Sequence, residues 1–379
     1  MKYAVVGFGT AGYHAVKKIR ELDKEGCIDV YSNTERAPYN PMLTTYYAFG
    51  KLEYEGMFPF GDLEQIQKEV DFNLRKETVI KVHGSEHLVE TENGSEQYDR
   101  ILIATGARAF APPVKGLEPE DAFLMRTVED ALRFKDRLKK NDIKHAVVIG
   151  ASMAGIKVVE VLHKYGIETW LLDLASYIFP LAAYKEVAEE IEKRVEAQGV
   201  HLMFGVTIDH MEQENGEKVA VLTDGSRIPA DIVGLCIGTR AITETVQGEV
   251  EITRGIVVDD HMRTSVPGIY AAGDCCEGNN LESGQKQIIG LWANANHQGE
   301  TAGINMAGGD AVYKGNILHN ITHFMNMDFI GFGDNRMQGE ILEYGSLSED
   351  LYIRLVLDGK RIVGANILDN YRISGIIKN

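Results

Sequence analysis

A short apolar strand, a glycine-rich turn, a helix and a returning strand occur in that order twice in this chain, and no other feature restricts its fold as much. The first copy reads KYAVVGFGTAGYHAVKKIR from Lys2 onward. Its strand ends at Gly7, Gly7, Gly9 and Gly12 complete G-x-G-x-x-G, and AGYHAVKKIRELD has helical spacing. The second copy, HAVVIGASMAGIKVVEVLHKYGIETWLLD, places Gly150, Ser152 and Gly155 at the three positions and returns along ETWLLD. In such a turn the first small residue permits the bend, the second lets the backbone approach a pyrophosphate, and the third lets helix pack on strand. The anion sits at the helix N-terminus, where free N–H groups and the helix dipole favour it. Serine at the middle position still allows that approach, though less freely than glycine. Two such units predict an α/β chain with two Rossmann-like, doubly wound, parallel-sheet nucleotide-binding domains.

The second strand of the second unit ends on Asp173, about 20 residues after the turn, where a carboxylate accepts both ribose hydroxyls and repels a 2′-phosphate. Leu174 follows, so no arginine at that position awaits a phosphate, and NADH is favoured over NADPH. In the first unit the corresponding strand, CIDVYSN, has Ser32 where an acid is expected and Glu35 three residues later. A ribose can still be held there by serine and backbone groups.

A chain of 379 residues exceeds one ordinary hydrophobic core and points to two or three domains. Its formal net charge of -17 repels polyanions, which excludes nucleic acid and anionic membranes as partners. The basic cluster RFKDRLKK at 133–140 is expected as the solvated face of a helix, with docking of a carrier protein as its alternative use. No run of eighteen apolar residues occurs, and Met1-Lys2 leads straight into a strand, so a cytoplasmic protein is expected. Four cysteines make no disulfide framework.

Two further segments, ILIATGARAFAPPVKG at 101–116 and TRGIVVDDHMRTSVPGIYAAGDCCEGN at 253–279, complete a set of four ordered motifs over nearly the whole chain. With them the chain resembles the FAD-dependent pyridine nucleotide oxidoreductases of the glutathione-reductase superfamily, in particular the branch of NADH-rubredoxin reductases and nitrite-reductase-like flavoproteins. The resemblance implies a discontinuous FAD domain (1–112 and 246–320), an inserted NAD(H) domain (113–245) and a short α+β C-terminal domain (321–379) of strands and a closing helix. That last domain covers the flavin side or makes a subunit interface, and its small size leaves monomer and homodimer both open.

By the same resemblance Gly7, Gly9 and Gly12, with Thr10 and Ala11, hold the FAD pyrophosphate, and Ser32 and Asn33 lie at the ribose. Val79 lies beside the adenine, and Ala104, Thr105, Gly106 and Arg108 mark the crossing between domains. Gly273 and Asp274 of AAGD bind the ribityl and pyrophosphate portion, and Asn40 and Thr44 complete the set. Trp292 and Asn294 open a helix whose N-terminus faces the flavin pyrimidine, where its dipole stabilises the reduced anion. NADH is assigned to Gly150, Ser152, Met153, Ala154, Gly155 and Asp173, with Gly238 lining the nicotinamide channel.

Thiol-disulfide members carry redox cysteines in the segment after the second strand. Here that segment, ERAPYNPMLTTYYAFG, has none, so electrons are expected to leave the flavin directly. Cys275 and Cys276 are adjacent, and a bridge between neighbours needs a strained or cis peptide, so both are expected as small buried packing residues. Cys27 and Cys236 are read the same way. His319 and His323 lie near Met325 and Met327, but the alternation of a strand accounts for them and no metal is assigned.

Lys157 occupies the position at which the family commonly carries glutamate, and Thr45 the position of that glutamate's lysine partner near flavin N5. Two uses of Lys157 are open: a cation near N5 supplied from the NAD-domain helix, or a surface lysine that faces solvent or pairs with Asp173 or Glu160. The expected activity is hydride transfer from NADH to FAD, then electron transfer to a small acidic carrier such as rubredoxin or to a partner subunit. The alternatives are an NADH oxidase and an FAD-binding subunit whose second nucleotide site is idle.

Overall fold

The computed structural model describes residues 1–349 and 351–370. Among them are seven α-helices: α1 (Thr10–Leu22), α2 (Leu43–Phe49), α3 (Leu63–Glu69), α4 (Val128–Leu138), α5 (Met153–Lys164), α6 (Lys185–Glu196) and α7 (Trp292–Met306). The chain divides into two compact units.

The first unit comprises Met1–Pro41, Glu53–Arg108 and Thr239–Asn316. Its five-stranded sheet runs, from one edge to the other, through Ile269–Ala271, Arg100–Ile103, Lys2–Val6, Cys27–Tyr31 and Asn73–Arg75. Every pairing is parallel. The order changes direction at Lys2–Val6, a central strand buried on both faces, as the unbroken apolar run of Ala4, Val5 and Val6 requires. A three-stranded antiparallel sheet, Val79–His83, Leu88–Thr91 and Gly94–Gln97, is attached to it.

The second unit comprises Met42–Leu52, Ala109–Gly238 and the chain from Ile317. Its parallel sheet repeats the plan, in the order His201–Phe204, Glu168–Asp173, His145–Ile149, Ile232–Leu235, Ala122–Phe123. Helix α4 begins with a reciprocal cap, Asp130 N–H donating to Thr127 Oγ1 at 3.0 Å and Thr127 N–H to Asp130 Oδ2 at 2.9 Å. The strands after Ile317 form one five-stranded antiparallel sheet, ordered His319–Phe324, Met327–Gly333, Arg361–Leu368, Leu351–Asp358, Glu340–Ser346. One face joins the core of this unit: Phe329 stacks on Phe179 at 5.2 Å and Phe324 meets it edge-on at 5.5 Å. The buried Asn366 side chain accepts from Tyr184 N–H at 2.7 Å and donates to Ala182 O at 2.8 Å, bonding the sheet to the loop before α6.

Residues 42–52, expected within the flavin domain, pack with the second unit instead, because α2 lays Ala48 and Phe49 into its core. Cys27 is a second correction: it stands at the exposed end of its strand rather than in a packed interior. The closing helix expected at the end of the chain falls on residues 371–379, outside the described residues.

Candidate functional site

In the first unit, Gly7 has φ +104°, and a Cβ there would lie 2.3 Å from Ala104 O. A Cβ at Gly12 would lie 2.2 Å from Gly7 O, so α1 starts in direct backbone contact with the turn. Gly9 is different: nothing lies within 4 Å of the place its Cβ would take. Gly9 also caps α1 without any side-chain hydrogen bond, and the first turn carries no acid. Open space over uncapped N–H groups at a helix N-terminus fits a pyrophosphate.

This cradle is enclosed. Helix α7 crosses α1 at two glycines, where a Cβ on Gly299 would lie 2.3 Å from Ala11 O and one on Gly303 2.5 Å from Ala15 O. A Cβ on Gly273 of the AAGD turn would lie 3.1 Å from Ala11 Cβ, and Thr10 and Ala11 are buried. Thr10 Oγ1 donates to Asn296. Trp292, at the start of α7, stacks on Phe60 at 5.7 Å, and its buried indole N–H has no acceptor among the described residues, as expected of a donor that awaits one from a cofactor. Asn294 is turned inward: it donates to Ile289 O at 3.0 Å and accepts from Tyr313 and Asn316, bracing the loop before α7.

The other residues of the flavin set are distributed as follows. Ala104 is buried against Gly7, Thr105 Oγ1 donates to Ile242 O at 2.6 Å, and Gly106 O accepts from Ile242 N–H at 2.9 Å. Val79 is buried in its strand, while Arg108 pairs with Glu244 at the surface. Ser32 closes a local turn onto Thr34, Asn33 is exposed, and Glu35 pairs with Lys76 at 2.8 Å. Asn40 N–H donates to Met57 O at 3.0 Å, and Asp274 is half-buried. Thr44 and Thr45 are buried in α2, in the second unit.

The second cradle has the same backbone and less cover. A Cβ on Gly150 would lie 2.4 Å from Cys236 O, and one on Gly155 1.9 Å from Gly150 O. Ser152 caps α5 itself: Oγ accepts from Gly155 N–H at 3.3 Å and donates to Cys236 O at 3.1 Å. Met153 is half-buried and Ala154 exposed, where their counterparts in the first unit are buried. Asp173 accepts from Ala151 N–H at 2.7 Å through Oδ2 and from Ala175 N–H at 2.8 Å through Oδ1, so it clamps the turn to the next loop. Gly238, exposed, accepts from Phe110 N–H at 2.9 Å.

Lys157 is buried and does not face solvent. Its ammonium donates to Glu160 and, at 2.7 Å, to His323 O, and lies 4.5 Å from the Tyr46 ring centroid. Glu160 is the partner expected of a surface lysine, but the pair is interior. Burial pulls Lys157 below the usual lysine range despite Glu160. Burial alone would raise Glu160, yet bonds and charge from Lys157 and Lys51 outweigh it and hold the carboxyl below its ordinary value. Such a group contributes stability above the ordinary carboxyl value of 4.5 and loses it as pH falls through the lower folded value. We expect Glu160→Gln to cost about 3 kcal/mol at pH 7, and the gap from wild type to narrow below pH 4.5. Urea midpoints between pH 7 and 3 measure this, and a constant gap would contradict it.

The basic cluster at 133–140 is largely paired with nearby carboxylates, Arg137 with Asp142 and Lys139 with Asp136, while Lys135 covers Tyr47. Cys275 and Cys276 are free and buried, donating to the carbonyls of Ile103, Ala272 and Gly273. Cys236 is buried, and this pushes its thiol up to about 12. His323 pairs with Asp328 at 2.7 Å, and among the described residues no group of three His, Cys, Asp or Glu could hold a metal ion. No helix among those residues is long and apolar enough to cross a membrane. Sequence reasoning missed the Gly299/Gly303 crossing, for which the small residues four apart in GETAG were the available signal, and it missed the lysines around α2.

A family model described as pyridine nucleotide-disulphide oxidoreductase matches residues 1–299. The epsilon subunit of NADH-dependent phenylglyoxylate dehydrogenase from Aromatoleum evansii is 28% identical over 348 residues, 90% of this chain and 82% of that one. The ferredoxin–NAD(+) reductase component of 3-phenylpropionate/cinnamic acid dioxygenase from Photorhabdus laumondii is 28% identical, over 81% of this chain and 77% of that one. Among solved structures, a NAD-dependent persulfide reductase from A. fulgidus superposes with a TM-score of 0.91 at 25% identity, over 100% of this chain and 75% of that one.

Proposed function

The chain belongs to the pyridine nucleotide-disulphide oxidoreductase family and is a flavin-dependent NADH oxidoreductase, and from that premise we propose how its two cradles divide the work. The enclosed cradle at Gly7, Gly9 and Gly12 holds FAD as a resident group, and the open one at Gly150, Ser152 and Gly155 takes NADH as an exchanging substrate. The observation that carries this is the difference in cover over turns of the same backbone: α7 and Gly273 bury Thr10 and Ala11, whereas Met153 and Ala154 remain accessible.

FAD, when bound, supplies the acceptor for the hydride that NADH gives up on becoming NAD⁺. The protein's part is orientation: the turn and the start of α5 receive the pyrophosphate, and Asp173 accepts the ribose hydroxyls with the lone pairs left beside its two backbone bonds. The unpartnered indole N–H of Trp292 would donate to the bound flavin. ERAPYNPMLTTYYAFG contains no cysteine, so this segment supplies no thiol to relay electrons between a bound flavin and its acceptor. That acceptor is a small electron-carrier protein or a partner subunit, and the enzyme works in the cytoplasm as a monomer or homodimer. The flavin domain is Met1–Pro41 with Glu53–Arg108 and Thr239–Asn316, and the nicotinamide domain lies within Ala109–Gly238.

An anaerobic titration of the FAD-loaded protein tests this. One equivalent of NADH should bleach the flavin absorption, and NADPH should do so far more slowly. Absence of bleaching by both would leave the second cradle idle and overturn the proposal. Oxygen uptake in place of carrier reduction would assign the oxidase activity.

A further inference from the structure

We infer that Glu160 is a positioning residue for hydride transfer, because it holds α2 and the turn at Met325 on α5, the helix of the nicotinamide site. The inference rests on the function proposed above.

Helix α2 has only seven residues, too few to persist without support. It presents three aromatic rings to lysines of the same unit. Lys157 lies 4.5 Å from the Tyr46 centroid, Lys135 3.9 Å from Tyr47, and Lys51 and Lys164 4.3 Å and 4.4 Å from Phe49. Lys135 and Lys164 also donate to the carbonyls of Tyr47 and Phe49, at the helix end where carbonyls lack partners and the dipole favours cations.

Glu160 ties this clasp to the rest of the unit. Its Oε2 accepts from Lys157, and its Oε1 accepts from Lys51 at 3.1 Å and from the backbone N–H of Met325 at 3.1 Å. Met325 and Asn326 both have positive φ and form the two-residue turn between His319–Phe324 and Met327–Gly333. Lys157 bonds the strand that leads into this turn, through His323 O. Three segments far apart in sequence thus meet at one buried carboxylate. Removing its charge leaves two ammonium groups without their counter-ion and one acceptor oxygen where Lys51, Lys157 and the Met325 N–H now share two, so α2 and the turn are loosened together.

Glu160 acts through these contacts, since both of its oxygens are occupied by internal donors. NADH is bound at the turn and Asp173, which the clasp does not touch. Loosening should therefore lower the rate and leave binding little changed.

The test uses the FAD-loaded full chain. We expect Glu160→Gln to slow flavin reduction by NADH about tenfold while KM stays within about twofold. The flavin potential should be unchanged, Glu160→Asp should recover part of the rate, and Tyr46→Leu should act in the same direction. An unchanged rate in folded Glu160→Gln overturns the inference, as does a shifted KM alone. A shift in flavin potential also overturns it, because that would mark a direct charge effect. If Glu160→Gln does not fold, Tyr46→Leu, at a half-buried residue, and Lys51→Met, at an exposed one, decide the matter, and full rates in both overturn it. If NADH does not reduce wild type, the functional reading is what fails. The clasp is then judged by melting of Tyr46→Leu, Lys157→Met and the double variant, where non-additive effects support it and additive ones overturn it.

Discussion

Gly9→Val should yield a folded protein without flavin, whereas Gly12→Ala should melt well below wild type even as apoprotein. The two positions lie three residues apart in one motif but face different surroundings. Gly9 has φ -82° and ψ -167°, an extended conformation that valine adopts readily, and no protein atom lies within 4 Å of its Cβ position. Valine there fills space that the protein does not use and a pyrophosphate would. Losing close approach and the bonds of the first turn should weaken flavin binding at least about a hundredfold, roughly 2.7 kcal/mol. In Gly12→Ala the new Cβ meets a backbone oxygen, Gly7 O, at 2.2 Å. Neither helix nor turn can rotate away as a side chain would, so α1 must move off its strand at about 1–3 kcal/mol. The ratio of flavin to protein absorbance reads the first outcome. Apoprotein melting reads the second, since bound flavin would itself raise the melting temperature. Full flavin retention by Gly9→Val would mean that the phosphates do not cross at Gly9.

Asp173→Ala combined with Leu174→Arg should raise the NADPH-to-NADH ratio of kcat/KM roughly a hundredfold, by removing a like charge and adding a guanidinium for the 2′-phosphate. The structure adds that total activity should fall as well. Asp173 holds Ala151 N–H and Ala175 N–H, and alanine leaves both without their acceptor, at about 1–3 kcal/mol. Asp173→Asn with Leu174→Arg retains one of the two bonds and should keep more activity at a similar ratio. Steady-state kinetics of the two double variants with both coenzymes, alongside their melting temperatures, separates selectivity from support of the turn. A switch without any loss of stability would show that the clamp contributes nothing.

Both nucleotide units were legible in the sequence because local chemistry specifies them: an apolar strand, small residues at fixed offsets and a helical period all lie within thirty residues. The strand ending at Asp173 agrees with the structure to the residue. The environment of Lys157 was not legible. Glu160 was named as a partner from its spacing on one helix, but burial comes from α2 and from the turn at Met325, more than a hundred residues away on either side. Cys27 was misassigned for a related reason, since an apolar strand does not reveal that its first residue lies at an open end. Asn294 lies at the expected start of α7, yet its side chain turns to Tyr313 and Asn316, contacts that no local pattern encodes.

The crossing of α1 and α7 through Gly299 and Gly303 also orders events in time. The helix that completes the first cradle begins at Thr10, and the helix that covers it ends at Met306. Strand Ile269–Ala271, at one edge of the same sheet, is also made late. The sheet of the second unit is drawn from one contiguous stretch, Ala122 to Leu235. As the chain leaves the ribosome, that inserted sheet can close while the N-terminal strands still lack their late partners, and stable capture of flavin must follow synthesis of α7. A nascent chain halted before Trp292 would leave exposed the side of α1 that α7 covers.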